Sequence, residues 1–261
     1  MTHPALRDVR GFVFDLDGCV WTGAVLSPGA GDTLAALRHA GRRVAFITNN
    51  SRAMGADIEA RLAALGVTGA DACLTPLEII GETITERFGP SRVLVIGAEE
   101  LSTAIRRGGH EVLDVKSYKR ATVVAVGNDF DLTYERLTAA ARAAAAGAPL
   151  VTPNVDPRLP IEGDDFLPGC GAIVAAVVAA ADVSPVVVGK PEPPLFEIAL
   201  RRMGLGADDA AMVGDSVPSD MVGGRRAGMT TVLYAPDGAP AETSADVVVS
   251  SFAELRRLAA V

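Results

Sequence analysis

Two short apolar runs near the start of the chain, Gly11–Phe14 and Arg43–Ile47, lie roughly 30 residues apart, and Thr33–Ala40 between them has the apolar spacing of a helix. A connection of this length fits a strand–helix–strand crossover, which joins two parallel strands. Parallel sheets occur almost only where helices cover their faces. The chain is therefore predicted to be an α/β protein built on a parallel sheet.

The same alternation continues along the chain. Helices are predicted at Ile58–Leu65 and Ile79–Phe88, and the last third adds the segments Val186–Val188, Leu195–Met203, Ala210–Val213, Thr231–Tyr234 and Val247–Val249. The middle has strands and helices of its own at Val93–Ile96, Thr122–Val126, Leu132–Ala146 and Ala172–Ala181. We therefore predict a doubly wound, Rossmann-like core formed by residues 1–89 and 185–261, interrupted by an inserted α/β domain at 90–184.

The composition excludes several classes of protein. Of 261 residues, 49% are hydrophobic, so the chain can bury a core and is not disordered. A net charge of −8 without a long Lys/Arg run argues against a nucleic-acid partner. The longest apolar stretch, Gly171–Ala181, is shorter than the roughly 20 residues that span a membrane. Three widely separated cysteines and an amino terminus without an apolar signal segment predict a cytoplasmic protein with reduced thiols.

Four polar clusters each follow a predicted strand. They are Asp15-Leu16-Asp17-Gly18, Thr48-Asn49-Asn50-Ser51, Gly189-Lys190-Pro191, and Gly214-Asp215 with Asp220. In an open parallel sheet the carboxyl ends of the strands lie at one edge, where ligands bind. The clusters are therefore predicted to converge there, although they are far apart in the sequence. Each cluster alone is weak evidence, because turns and helix caps use the same residues.

The predicted convergence brings together four carboxylates, those of Asp15, Asp17, Asp215 and Asp220. Two carboxylates about 4 Å apart repel by roughly 4 kcal/mol at an effective dielectric constant near 20, so the group requires a cation or the protonation of some members. Oxygen ligands favour a hard divalent ion, and Mg²⁺ is the commonest where a phosphate shares the site. Thr48, Asn49 and Lys190 add donors for an anion. Together these groups predict phosphoryl-transfer chemistry.

The arrangement also predicts individual roles. Asp15, at the end of the first strand, can attack phosphorus and form an aspartyl-phosphate. Asp17 can protonate the leaving oxygen and later accept a proton from water, since residues two apart on an extended segment point the same way. Gly18 allows a tight turn that directs its backbone amide at the phosphate.

In this order, the four clusters resemble the four motifs of the haloacid dehalogenase (HAD) superfamily of phosphohydrolases. The position of the insertion, after the second motif and before Lys190, resembles subfamily IIA, whose members carry a large α/β cap. Further similarity extends through Val126-Gly127-Asn128-Asp129, Thr152-Pro153-Asn154-Val155-Asp156 and Leu167-Pro168-Gly169-Cys170-Gly171. The resemblance implies an Mg²⁺-dependent phosphatase that hydrolyses small phosphate monoesters, such as sugar phosphates, phosphoglycolate, glycerol phosphate, nucleoside monophosphates or 4-nitrophenyl phosphate.

The resemblance further implies a role for each matching residue. Asp15 would be the nucleophile and Asp17 the general acid/base, and the Asp15 side chain, the Asp17 backbone carbonyl and Asp215 would hold Mg²⁺. Thr48, Asn49 and Lys190 would join Gly18 in binding phosphate. Asp220 would orient Lys190 or the ligands of the metal. Relatives often pair through the cap, which allows a homodimer here, but the sequence itself does not determine the oligomeric state.

Several alternatives share these residues. A phosphotransferase or phosphomutase would use the same set, whereas a dehalogenase would have no need of the acid Asp17. A sensor of phosphorylated ligands could dispense with Asp17 as well. The sequence does not identify the phosphorylated metabolite, and a redox role for Cys19, next to Gly18, stays a hypothesis.

Overall fold

The computed structural model describes residues 3–160, 165–241 and 243–261. The chain divides into two compact units. The first unit comprises residues 1–48, 54–74 and 190–261, and the second unit comprises residues 49–53 and 75–189. No helix among the described residues is long and apolar enough to cross a membrane.

Strands and helices alternate through both units. The strands are β1 (Gly11–Asp15), β2 (Trp21–Thr22), β3 (Val25–Leu26), β4 (Arg43–Ile47), β5 (Ala72–Leu74), β6 (Arg92–Ile96), β7 (Glu111–Leu113), β8 (Val123–Val126), β9 (Leu150–Thr152), β10 (Arg158–Pro160), β11 (Phe166–Pro168), β12 (Val186–Val187), β13 (Ala210–Gly214), β14 (Thr230–Tyr234) and β15 (Val247–Val249). The α-helices are α1 (Ala30–His39), α2 (Gly55–Ala64), α3 (Pro76–Phe88), α4 (Glu99–Arg107), α5 (Tyr134–Ala145), α6 (Cys170–Ala181), α7 (Pro194–Met203), α8 (Val222–Arg226) and α9 (Phe252–Leu258).

A parallel sheet with the order β15-β14-β13-β1-β4-β5 forms the centre of the first unit. Strand β1 pairs on one side with β4, the next strand of this sheet along the chain, and on the other with β13 from the far end of the sequence. The strand order therefore reverses beside β1, which is where doubly wound sheets bind ligands. This arrangement confirms the predicted α/β fold with a parallel, Rossmann-like sheet.

The strand that leads to Asp15 is fixed by buried aromatic side chains. All five residues of β1 are buried, as expected for a central parallel strand. The ring of Phe14 lies 6.1 Å from that of Phe46 on β4 and 6.2 Å from that of Phe252 on α9, measured between centroids. Such ring pairs stabilise a core beyond simple burial. The end of β1 is thus held in place from both sides.

The second unit has its own parallel sheet, in the order β12-β9-β8-β6-β7. Helices α5 and α6 pack against each other, and their small apolar side chains join those of β6, β8 and β9 in one core. The predicted strand at Val186–Val188 exists, but its position differs from the prediction. Strand β12 pairs with β9 and not with the sheet of the first unit, because an apolar pattern shows that a strand is buried but not which sheet it joins.

The long segment of the second unit comprises residues 75–189, whereas the predicted insertion comprises residues 90–184. The difference is helix α3, which packs against α4 of the same unit. Gly81 on α3 meets Gly108 at the end of α4, and a Cβ added at Gly81 would lie only 2.7 Å from the Gly108 Cα. Two glycines thus allow the two backbones to touch. The His110 ring, which is bonded to the Gly81 carbonyl oxygen at 2.9 Å, fixes the same contact.

Replacing Gly81 by Ala is expected to lower the free energy of unfolding by about 1–3 kcal/mol, because the added methyl group has no space against the Gly108 backbone. Urea denaturation would measure the loss. The matched control is Gly206→Ala, where an added Cβ meets no atom within 4 Å and the backbone does not require glycine. Equal stabilities of the two variants would contradict the close helix contact.

Candidate active site

Three carboxylates and a lysine meet at the carboxyl edge of the first unit's sheet. Asp15 ends β1, Asp215 follows β13, and Asp220 lies in the π-helical turn Val217–Met221. One oxygen from each of the three carboxylates lies within 4.8 Å of the others. The amine of Lys190 donates hydrogen bonds to Asp15 Oδ1 and to Asp220 Oδ1, the second at 2.7 Å. The predicted convergence of these four residues is therefore present.

Lys190 reaches this group by a route that differs from the predicted one. It was expected to extend a strand of the same sheet, but the preceding strand β12 belongs to the second unit. The chain enters the first unit at Lys190 itself and continues into α7, which packs against β1, β4 and β5. The packing of α7 therefore places the lysine, and no strand end does so.

Water reaches only part of this group of four residues. Asp15, Lys190 and Asp220 are buried, at 6%, 5% and 0% exposure, whereas Asp215 is exposed. The second oxygen of Asp220 accepts a hydrogen bond from the Ser216 backbone N–H at 3.1 Å. Both Asp220 oxygens are thus engaged by the protein, which holds this carboxylate in one orientation.

Burial of so many charges changes their protonation. Burial raises the pKa of the Asp15 carboxyl to about 8, and the charges of Asp220 and Asp215 add to the rise while Lys190 opposes it. Burial lowers the pKa of the Lys190 amine, but Asp15 and Asp220 outweigh this effect and hold the pKa above its ordinary value. The pKa of Asp215 is also raised, by partial burial and then by Asp220. One lysine therefore does not neutralise the three carboxylates, and the site favours a further positive charge.

Asp17 is exposed and lies outside this buried group. Its Oδ1 accepts a hydrogen bond from the indole Nε1–H of Trp21 at 2.8 Å, and its Oδ2 accepts one from the Thr48 hydroxyl at 3.4 Å. Thr48 itself is buried at the end of β4. The structure thus brings Asp17 and Thr48 together, as predicted. The contact with Trp21 was not anticipated, although a tryptophan four residues after the second aspartate was visible in the sequence.

Glycine is required at two positions beside the carboxylates. At Gly18 the φ angle is +89°, and an added Cβ would lie 2.3 Å from Asp215 Oδ2. At Gly214 an added Cβ would lie 2.3 Å from Asp220 Oδ2. Each glycine allows a carboxylate to lie directly against the backbone, so the acidic group depends on both.

Asn49 belongs to the second unit with the segment 49–53. Its backbone oxygen accepts a hydrogen bond from the Asn154 amide at 2.9 Å, and its side chain lies against Gly189. Further along the segment, the Ser51 hydroxyl accepts a hydrogen bond from the Asn128 amide at 3.2 Å. These contacts do not test the prediction that Asn49 binds phosphate, which stays a prediction.

Cys19 is fully buried, and burial raises the pKa of its thiol well above the ordinary value. A thiol that is both buried and protonated is a poor nucleophile. The structure thus gives no support to a redox role for Cys19.

The donors around Asp15 fit a hard divalent cation. They are carboxylate oxygens, and together they carry more negative charge than Lys190 offsets. Mg²⁺ and similar ions meet these requirements, whereas zinc sites are built mainly from His and Cys.

Comparison with known proteins identifies the family of the chain. Residues 12–111 match the family model described as haloacid dehalogenase-like hydrolase, and residues 187–255 match a second HAD-hydrolase-like model. The chain is 34% identical to chronophin from Rattus norvegicus over 88% of this chain and 78% of that protein. The chain belongs to the HAD-like hydrolases. Its site residues lie on both matched segments.

Two further similarities concern phosphatases. The chain is 31% identical to an acid sugar phosphatase from Staphylococcus saprophyticus, over 87% of this chain and 86% of that protein. The crystal structure of a 4-nitrophenylphosphatase from Thermotoga maritima superimposes with a TM-score of 0.86 at 30% identity, covering 98% of this chain and 99% of that chain. This HAD-like hydrolase is a phosphatase that acts on small phosphate monoesters.

Proposed function

We propose that the protein hydrolyses small phosphate monoesters with Mg²⁺ through an aspartyl-phosphate on Asp15. The observation that carries the proposal is the group formed by the buried Asp15, Asp220 and Lys190 together with the exposed Asp215. Asp15 ends the central strand and Lys190 holds its Oδ1, so its other carboxylate oxygen is the nucleophile that the fold positions best.

In this mechanism the side chains of Asp15 and Asp215 and the backbone carbonyl of Asp17 hold Mg²⁺. When bound, the ion offsets the negative charge of the phosphoryl group and the further negative charge that develops during its transfer. Lys190, Thr48 and Asn49, with the Gly18 backbone amide, bind the phosphate oxygens. Asp220 keeps the Lys190 amine in place, since it accepts one of the amine's hydrogen bonds at 2.7 Å.

Asp17 transfers the protons in this proposal. Asp15 attacks phosphorus and the ester P–O bond breaks. The leaving oxygen keeps the electron pair of that bond and takes the proton of Asp17. A water molecule then attacks phosphorus while the Asp17 carboxylate takes a proton from it, which releases phosphate and restores Asp15. The exposure of Asp17 supports this role, because the residue must reach both the leaving group and water.

The remaining parts of the proposal concern the surroundings of the site. The second unit acts as the cap expected from the resemblance, and it limits the substrates to small phosphorylated metabolites. The protein itself has no nucleic-acid or membrane partner in this proposal. Pairing through this unit would give a homodimer. The three buried, free cysteines support a cytoplasmic location.

Assay of a panel of phosphate esters with and without Mg²⁺ tests the proposed function. The panel includes sugar phosphates, glycerol phosphate, phosphoglycolate, nucleoside monophosphates and 4-nitrophenyl phosphate. We expect phosphate release that EDTA abolishes and Mg²⁺ restores. Release of ¹⁸O-labelled phosphate in H₂¹⁸O identifies water as the acceptor, whereas transfer to a sugar hydroxyl would indicate a phosphotransferase. Absence of turnover with every ester would contradict the proposal.

Replacing Asp215 by Asn is expected to lower kcat/KM by about 10²-fold or more at a fixed Mg²⁺ concentration, because one of two carboxylate ligands is lost and a bound metal supplies several kcal/mol of charge stabilisation. The increase in Tm that Mg²⁺ produces in the wild-type protein is expected to shrink as well. The control Asp209→Asn makes the same change in an exposed pair with Arg10, where both readouts should stay at their wild-type values. An Asp215 variant with unaltered Mg²⁺ dependence would exclude this residue as a ligand.

A further inference from the structure

A short loop after β1 joins Asp17 to Trp21. The Gly18 backbone N–H donates to the Trp21 carbonyl oxygen at 2.8 Å, and the Trp21 N–H donates to the Leu16 carbonyl oxygen at 3.0 Å. These bonds fix both ends of the loop. The indole of Trp21 then donates to Asp17 Oδ1 at 2.8 Å. The loop therefore sets the position of the carboxylate relative to the ring.

The indole ring is itself held rigidly. Trp21 is fully buried at 0% exposure, and the guanidinium of Arg61 on α2 lies over the ring, 4.0 Å from its centroid. Arg61 also donates a hydrogen bond to the Gly23 carbonyl oxygen, in the turn between β2 and β3. A buried ring with a cation stacked on its face has little rotational freedom, so the direction of its N–H is fixed.

The chemistry of this bond determines which oxygen of Asp17 can carry a proton. The indole N–H donates and never accepts, so the oxygen it faces must offer a lone pair. Oδ1 is therefore the acceptor whether Asp17 is ionised or neutral. Oδ2 has the longer contact, at 3.4 Å, with the Thr48 hydroxyl, which can both donate and accept. The proton of the neutral acid accordingly belongs on Oδ2.

We propose that Trp21 is a positioning residue that holds Asp17 through Oδ1 and so keeps Oδ2 as the oxygen that gives and takes the proton. This inference rests on the proposed role of Asp17 as general acid and base. In the first step the Oδ2–H bond breaks as the leaving oxygen takes the proton with the electron pair of the broken P–O bond. In the second step Oδ2 accepts a proton from the attacking water, and the bond between phosphorus and Asp15 breaks.

The test compares leaving groups that differ in their need for a proton. A nitrophenolate leaves without much protonation, whereas an alkoxide such as that of glycerol phosphate requires the acid. The quantity measured is kcat/KM, which reports the steps up to and including transfer to Asp15. Loss of the indole N–H is expected to lower kcat/KM for glycerol phosphate by about 10²-fold, since a displaced catalytic group can cost that much, and to lower it far less for 4-nitrophenyl phosphate.

Two variants remove the N–H. The first is Trp21→Phe, which also changes the packing. The second is biosynthetic replacement of tryptophan by benzothienylalanine, which exchanges N–H for sulfur in a ring of nearly the same shape. Because the chain has only one tryptophan, this replacement alters position 21 alone. Replacement by 4-fluorotryptophan, which keeps the N–H, should restore the wild-type ratio of the two kcat/KM values. Leu37→Val on α1, in the core of the same unit, controls for a general loss of stability and should leave the ratio unchanged.

The outcomes separate the two hypotheses. If the wild-type protein hydrolyses both esters and the benzothienylalanine protein loses mainly the alkyl ester, Trp21 positions Asp17. Equal losses with both esters, or no loss, would overturn this inference and leave the proposed phosphatase mechanism standing. If the wild-type protein hydrolyses neither ester, the mechanism itself fails.

Discussion

Replacing Asp15 by Asn is expected to lower kcat for every phosphate ester by about 10⁴-fold or more, because an amide cannot form the acyl-phosphate and loss of a nucleophile removes the chemical step. The variant should fold well. Burial and the neighbouring charges of Asp220 and Asp215 raise the pKa of Asp15 to about 8, which means that ionising this side chain in the folded protein is unfavourable. A neutral amide of the same size relieves that repulsion, while Lys190 keeps Asp220 as its partner.

Direct detection of the intermediate completes this experiment. Rapid acid quenching followed by mass spectrometry should find a phosphoryl group on the peptide that contains Asp15 in the wild-type protein, and none in the variant. Asp8→Asn makes the same change at an exposed position just before β1 and should retain full activity. A phosphorylated peptide elsewhere in the chain, or substantial turnover by Asp15→Asn, would show that another residue is the nucleophile.

The sequence predicts the parts of the site that lie on strands of one sheet. Asp15, Thr48 and Gly214 end or follow β1, β4 and β13, which are neighbours in the sheet. Apolar runs with crossover spacing are sufficient to predict parallel strands, and parallel strands place their carboxyl ends at one edge. The acidic group could therefore be predicted from local patterns and one topological rule.

The rest depends on contacts that carry no local signal. Strand β12 joins the sheet of the second unit, although its composition would suit either sheet. Helix α3 belongs to that unit because Gly81 meets Gly108, a pairing that no periodicity reveals. The bond from Trp21 to Asp17 depends on the φ angle of +89° at Gly18 and on the backbone bonds of the loop. Such contacts arise from tertiary packing, which overrides the preferences of single segments.

Lys190 is expected to contribute more to stability than any other charged residue of the site. Replacing it by Met leaves the carboxylates of Asp15 and Asp220 buried together without a counter-charge, and removal of one partner from a buried ion pair costs about 3–5 kcal/mol. Lys190 opposes the raised pKa of Asp15, so the pKa rises further without it. A carboxyl whose pKa is higher in the folded protein loses stability as pH increases up to that folded pKa. In the wild-type protein the loss of stability that comes from ionising Asp15 ends near pH 8. In the variant, where the pKa of Asp15 is higher, the stability continues to fall above pH 8.

The loss in the Lys190→Met variant should therefore be larger at pH 9 than at pH 6, as measured by urea denaturation in EDTA. A second substitution, Asp220→Asn, removes one of the two buried carboxylates that have lost their counter-charge and should recover part of the loss, since the double variant retains a single buried carboxylate beside Asp215. Lys119→Met is the matched control, because Lys119 is exposed and such substitutions change stability by no more than about 0.5 kcal/mol. A loss that is independent of pH and is not reduced by Asp220→Asn would show that Lys190 stabilises the fold through packing of its side chain and not through its charge.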